Sequence, residues 1–407
     1  MRRQPSMAKG LAEILSSRGE GPVAEIIIAG SGFAGLTTAL QLKRHLGNRT
    51  DHHITVIAKD DQFLYRPALI PVAFGTKSLS DIQFRLSPVY RRAGIEFFAS
   101  EIVDIDPKTH TVATRERRFL YDKLVVALGE HLAYDEIPGL KEYGYTVCSQ
   151  QGAQALADAL PRFNGGPAVV GWAQYAQTGG PSFEVALELH HYMKRRQLPG
   201  SISFVDPLPK FWAPAGEKAS SYLERLFATL QIPRYGPVQI QEVSPDRVIL
   251  ADGRELPSQL TIITPPFRGQ PAQSGLAAGQ PRNWIETGKD MRSLRYPDIY
   301  VAGNATAFDG PKQGHTAMLQ AEVAAHNLAL DLLARPGERR QYDHEMSCVL
   351  DLGQGQGLFV RRSLWNTRHQ VVKLGRRWPL AKSLLEYTFI HTPVFKQWGV
   401  PISRLTR

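Results

Sequence analysis

Two cysteines stand in a chain of 407 residues, Cys148 in "GYTVCSQQ" and Cys348 in "EMSCVLDLG". Two are too few for a disulfide framework. A free thiol is either an inert buried side chain or a reactive group, and stabilisation of its thiolate decides which. Cys148 directly precedes a helix-like segment, "SQQGAQALADAL", and a helix N-terminus lowers a thiol pKa. Such a thiol suits nucleophilic or redox chemistry.

The second chemical feature is Gly30-Ser31-Gly32-Phe33-Ala34-Gly35, after one apolar run and before another. In that position Gly30 permits a tight turn, Gly32 lets a pyrophosphate approach the backbone, and Gly35 allows close helix–strand packing. The phosphates then meet the amides of a helix N-terminus. The following strand should end in an acid for the ribose hydroxyls. "ITVIAKDD" has Ala58 there, with Asp60 and Asp61 just beyond.

A similar place recurs at "VVGWAQYAQTGGPSFE", residues 169–184, but the three glycine positions read Gly171, Ala173 and Ala176. A methyl at the second position stands where pyrophosphate must touch backbone, and Trp172 adds bulk. The next strand offers only Asp206, followed by Pro207. The expectation is a second dinucleotide fold retained as a scaffold, without nicotinamide binding.

Elements must position these residues. Strands are expected at 24–30, 53–61, 123–131, 201–207, 259–269 and 298–308, and a helix at 36–46. Short apolar runs alternating with helical patterns predict an α/β fold with parallel sheets. The expected organisation is a flexible leader at 1–22, with Met7 as an alternative start; a first dinucleotide domain at 23–150 and 275–335; a second at 151–274; and a C-terminal region at 336–407.

Hydrophobic and charged fractions of 43% and 21% are ordinary for a folded protein. No apolar run reaches the ~20 residues that span a bilayer, and the basic start lacks the apolar core of a signal peptide. This points to a cytoplasmic address. The net charge of +10 is concentrated from Arg361 onward, where ten bases meet one acid, Glu386. Among the bases lie Trp365, Trp378, Trp398, Leu380, Leu384, Leu385, Tyr387, Phe389, Ile390 and Phe395. Bases interleaved with Trp and Leu suit a membrane interface. No motif points to nucleic acid. His131, His190, His191 and His315 lack ligand-spaced partners, so no metal is expected.

Later landmarks resemble flavoproteins with two dinucleotide domains. "YDKLVVALGEHLAYDEIPGL" resembles the segment that crosses back to the flavin domain. "YPDIYVAGNATAF" resembles the late motif that holds the FAD ribityl chain, usually ending Gly-Asp; here it reads Gly303-Asn304. An Asn hydrogen-bonds as donor or acceptor but carries no charge. Within that superfamily the chain resembles sulfide:quinone oxidoreductases, with type II NADH dehydrogenases as neighbours. The marks are "HLAYDEIPGL", "GGPSFEVALELHHYMKRR", "PPFRG", "PKQGHTAMLQAEVAAHNLA", "CVLDLGQGQGLF" and "RRWPLAKSLLEY".

The resemblance implies an α/β protein with two Rossmann-like dinucleotide-binding domains and a basic amphipathic C-terminal region docking on the inner face of the cell membrane. It implies FAD, and electron transfer from sulfide or another small sulfur donor to quinone. It leaves homo-oligomerisation open. FAD would be bound by Gly30, Gly32, Phe33, Ala34, Gly35, Asp60, Gly129, Gly303 and Asn304. Lys312, Gln313 and Gly314 would lie by the flavin ring, and His315 and Gln320 would face quinone. Cys348 and Cys148 match the last and first of three family cysteines; the middle one is replaced by Thr178. The usual redox pair is therefore incomplete, because a hydroxyl cannot carry a disulfide or polysulfide bridge. The alternatives are a type II NADH:quinone oxidoreductase and a non-catalytic FAD-binding membrane partner.

Overall fold

The computed structural model describes residues 23–47, 52–334, 337–366, 370–392 and 396. The expected leader with Met7, together with Phe395 and Trp398, lies outside the described residues.

Two five-stranded sheets organise the chain. The first has the order Ile299–Val301, Lys123–Val126, Glu25–Ala29, His53–Ala58, Glu96–Ala99, with every neighbouring pair parallel. Its central strand is buried from Ile26 to Ala29. Cover on both faces explains why it reads as an unbroken apolar run rather than an alternating one. Helices Phe33–Leu46 and Gly314–Leu332 pack together and against strands of this sheet.

The second sheet has the order Gly144–Tyr145, Leu260–Thr264, Gly166–Trp172, Gly200–Val205, Arg234–Tyr235, again all parallel. Its core is aromatic. Phe183, on helix Gly180–Arg195, lies 4.8 Å from Phe204, which lies 4.9 Å from Phe227 on helix Glu217–Thr229. Trp172 packs edge-on to Phe183 at 5.3 Å.

Four expected strands differ clearly in extent. That at 259–269 is two strands, Leu260–Thr264 and Phe267–Gly269, and that at 298–308 ends at Val301. That at 53–61 stops at Ala58. That at 123–131 breaks at Gly129, whose φ of 75° suits glycine, and Glu130–Leu132 pairs antiparallel with Phe267–Gly269.

The tail is regular. Glu345–Gly353, Gln356–Ser363 and Gln370–Gly375 form an antiparallel meander, followed by helix Arg377–His391. The inward positions Met346, Leu350 and Leu352 alternate with half-buried Ser347, Val349 and Asp351, a period of two. Of the expected interfacial tryptophans, Trp365 stays exposed, with its ring 5.3 Å from Phe308, while half-buried Trp378 stacks on Phe359 at 4.3 Å. Leu380, Leu384 and Tyr387 are exposed. Among the described residues no helix is long and apolar enough to cross a membrane.

Candidate active site

Three adjacent strands of the first sheet lead at their carboxyl ends to Gly30, Gly129 and Gly303, the usual ligand position in such sheets. Gly30 has φ 103°, and a methyl carbon placed on it would lie 2.4 Å from the Ala127 carbonyl oxygen. One placed on Gly35 would lie 1.9 Å from the Gly30 carbonyl oxygen. One placed on Gly32 would meet no protein atom within 4 Å. Gly30 and Gly35 thus serve packing, while Gly32 faces open space.

Phe33 opens the helix and packs against Phe63 at 5.2 Å and the tail residue Phe389 at 5.4 Å. A methyl on Gly314 would lie 3.1 Å from the Phe33 ring, so Gly314 starts its helix hard against the turn. Gly303 (φ 78°) leaves only 2.8 Å between such a methyl and the Ala34 methyl. Its N–H donates to Gln320 Oε1 at 2.7 Å. Gln320 is buried and holds this turn rather than facing a quinone. Asp60 is exposed, two residues past the strand end, whereas Asp61 accepts from Ser87 N and Arg85.

The residues present fit a flavin dinucleotide. Gly32 and Gly129 leave room for close approach. Three buried acceptor atoms, Asn304 Oδ1, Gln313 Oε1 and Gln177 Oε1, have no hydrogen-bond partner among the described residues. Buried acceptors of this kind call for donors, which the hydroxyls and ring N–H of FAD provide.

Glu130, not anticipated as a site residue, lies immediately beyond Gly129. Its buried carboxylate accepts from Arg66 Nη1 at one oxygen and from Asn304 Nδ2 at the other, 2.7 Å away. Burial pushes its pKa up, but Arg66 and the Asn304 hydrogen bond outweigh that and hold it below the usual carboxylate range. Lys312 is buried too. Its ammonium donates to the Thr306 carbonyl and lies 4.2 Å from the Trp284 ring centroid, and its N–H donates to Gln177 O at 2.7 Å. Burial lowers its pKa to about 7 against the pull of Glu130 and Asp309.

The two thiols flank the start of helix Gly180–Arg195. A methyl carbon placed on Gly180 would lie 3.8 Å from Cys348 Sγ. On the other side, Cys148 Sγ donates to Thr264 Oγ1 at 3.7 Å, and Thr264 Oγ1 lies 3.1 Å from Ser182 Oγ. Both thiols are free. Thr178 lies half-buried just upstream of Gly180.

The expected lowering of the Cys148 pKa is overturned. Ser149, rather than Cys148, caps the following helix by accepting from Gly152 N, and burial pushes the Cys148 thiol up. Burial also pushes Cys348 up, to about 12, with Lys382 opposing. Lys382 Nζ donates to Glu184 Oε1 at 2.6 Å, forming a largely buried ion pair beside Cys348. The sequence reading missed this pair and Arg66. The available signals were a glutamate four residues into an apolar helix and a carboxylate directly after a turn glycine.

The second turn is closed. A methyl on Gly171 would lie 1.9 Å from Val205 O. Ala173 is fully buried, with its N–H donating to Thr264 O. Asp206, the one acid available for a ribose, is fully buried and bound by Arg234 at 2.6 Å. His191 Nε2 lies 3.1 Å from Leu352 O, and His315 Nε2 lies 3.3 Å from Glu345 Oε1. Both histidines tie the tail meander to the body. His131 and His190 are half-buried, and burial lowers the pKa of each.

Residues 24–321 match the pyridine nucleotide-disulphide oxidoreductase family. The chain belongs to that family and is an FAD-dependent oxidoreductase. Within it, the chain is 28% identical to the sulfide-quinone reductase of Aquifex aeolicus, over 90% of each chain. The X-ray structure of the Aquifex aeolicus sulfide:quinone oxidoreductase superposes with a TM-score of 0.86 at 25% identity, over 92% of each chain. The type II NADH:quinone oxidoreductase of Staphylococcus saprophyticus is 23% identical, over 86% of this chain and 93% of its own.

Proposed function

We propose that this flavoprotein passes two electrons from sulfide, or a related small sulfur donor, to a quinone. Overall, HS⁻, quinone and H⁺ give sulfane sulfur and quinol. The observation that carries this reading is the Cys348 thiol against the start of the second-domain helix, beside a nucleotide turn filled by Ala173 and an Asp206 already bound to Arg234. The similarity to the sulfide-quinone reductase supports it.

Bound FAD supplies two-electron acceptance from a sulfur donor and release to a quinone. The chain does the rest. The amides around Gly32 would meet the pyrophosphate, and Asn304 and Gln313 would accept hydrogen bonds from the cofactor. Lys312, in its protonated form, would supply positive charge at the flavin ring. Cys348 is the catalytic thiol. The Lys382 ammonium favours its thiolate against the burial penalty, and Cys148 takes the partner role that Thr178 cannot.

Anaerobic titration with sulfide should bleach the visible flavin absorbance, and quinone should restore it. Cys348→Ser should keep its flavin and lose sulfide bleaching; retained bleaching would remove Cys348 from the mechanism. Rapid bleaching by NADH, with none by sulfide, would transfer the protein to the NADH-oxidising group.

The exposed side chains Leu380, Leu384 and Tyr387 recur at helical spacing beside exposed Lys373, Arg376 and Arg377. Apolar anchors with flanking bases suit an anionic leaflet. We assign this face to docking on the inner surface of the cell membrane. Co-sedimentation with phosphatidylglycerol vesicles should fall about tenfold in Leu380→Asp/Leu384→Asp, the loss of two anchoring side chains. Unchanged binding would rule the face out.

A further inference from the structure

We infer that Glu130 is a positioning residue that fixes the Asn304 amide, so that Asn304 offers its carbonyl oxygen, and not its NH2, to a hydroxyl of the bound FAD. The two ends of an asparagine amide have nearly the same shape, so only its hydrogen-bond partners decide which way it faces. Here one partner is decisive. Glu130 Oε2 lies 2.7 Å from Asn304 Nδ2. The other carboxylate oxygen is taken by Arg66, and Gln270 Nε2 anchors the Glu130 backbone carbonyl at 2.7 Å.

An ionised carboxylate only accepts hydrogen bonds, so the NH2 must face it. Glu130 is held ionised by Arg66 and by that same NH2. The carbonyl oxygen is thereby turned away, and it is buried and unpartnered. It lies at the cradle: Gly303, the preceding residue, sits against Ala34 of the phosphate turn. A buried acceptor next to a dinucleotide site is completed by a donor on the dinucleotide. Glu130 itself need not touch the cofactor; its charge acts one hydrogen bond away, through the amide.

The test is a reciprocal swap, read by FAD release when the holoenzyme is diluted and followed by the fluorescence of freed flavin. In Glu130→Gln the new carbonyl turns to Arg66 and the new NH2 to Asn304. Asn304 then flips and presents NH2 where an acceptor was. FAD affinity at pH 8 should drop about tenfold, roughly the effect of leaving one buried polar group without its partner. Asn304→Asp sets two carboxylates face to face, and affinity should drop at least as far. The double variant Glu130→Gln/Asn304→Asp restores a donor facing an acceptor, and should return within about threefold of wild type.

A purely structural role for Glu130 would give additive losses instead. Asn304→Asp binding FAD as tightly as wild type, or a double variant no better than the worse single, would overturn the inference. Should Glu130→Gln fail to fold, Asn304→Asp still decides. A carboxylate pair sharing one proton reproduces the N–H donor, so FAD affinity should fall as pH rises from 5 to 8 and that proton leaves. Arg66, Lys312 and Cys148 are the other ionisable groups coupled to Glu130. The wild-type profile, measured alongside, removes the share due to Lys312. A flat difference profile would overturn the inference.

Discussion

In the first domain three residues, 30–32, separate strand Glu25–Ala29 from the helix that begins at Phe33. In the second, seven residues, 173–179, separate strand Gly166–Trp172 from the helix that begins at Gly180. Both sheets are parallel and both turns sit at the carboxyl ends of central strands. Yet Gly32 faces open space while Ala173 is fully buried. The longer second connection buries Ala173 and brings the helix start beside Cys348. One strand–turn–helix unit leaves Gly32 open to a cofactor; the other buries Ala173 and borders two free thiols. What separates them is turn length and a few methyl groups, not the fold.

The largest effect that would sharpen this contrast lies at Gly35. Gly35→Ala would force a methyl to 1.9 Å from a backbone carbonyl oxygen. We expect a loss of about 3 kcal/mol or more, seen as a melting point lowered by about 10 °C or as insoluble protein. Gly32→Ala meets no protein atom. It should leave the apoprotein's melting point within about 2 °C of wild type while removing most of the flavin, read from the visible-to-ultraviolet absorbance ratio. A yellow, fully loaded Gly32→Ala protein would show that no phosphate passes there.

Next in size is the pH dependence of Cys348. Its thiol pKa is raised from 9.0 to about 12, so the protonated form is favoured well above neutral pH. Alkylation by iodoacetamide at pH 8 should be about a thousandfold slower than for a free thiol, because only the thiolate reacts. It should climb about tenfold per pH unit up to pH 10. Fast alkylation at pH 8, mapped to Cys348 by mass spectrometry, would show that Lys382 outweighs burial.

The smallest effect concerns the closed turn. Ala173→Gly/Ala176→Gly restores two missing glycines at a stability cost of about 1 kcal/mol each. We expect no gain of NADH bleaching, since Asp206 stays with Arg234 and the helix still begins at Gly180. A gain would show that the methyl groups alone closed the site.

Much of this comparison was written locally. Gly30, Gly32 and Gly35 at their spacing mark one open turn, and Gly171, Ala173 and Ala176 mark one altered turn, because turn geometry depends on a handful of consecutive backbone angles. Parallel sheets followed from apolar runs alternating with helical patterns. The charge-rich tail concealed its own meander, whose inward alternation was diluted by half-buried polar positions.

The sequence alone therefore determined where a dinucleotide can approach the backbone and where it cannot. Tertiary structure decided the chemistry of the polar groups around that point. The Cys148 thiol stands before a helix, yet burial raises its pKa. Gln320 is drawn into the Gly303 turn. Glu130 meets Asn304 across 174 positions, and Glu184 meets Lys382 across 198. Spacing fixes backbone shape over a few residues. Burial and charge pairing, which set whether a thiol ionises or an amide turns, depend on neighbours that arrive from distant parts of the chain.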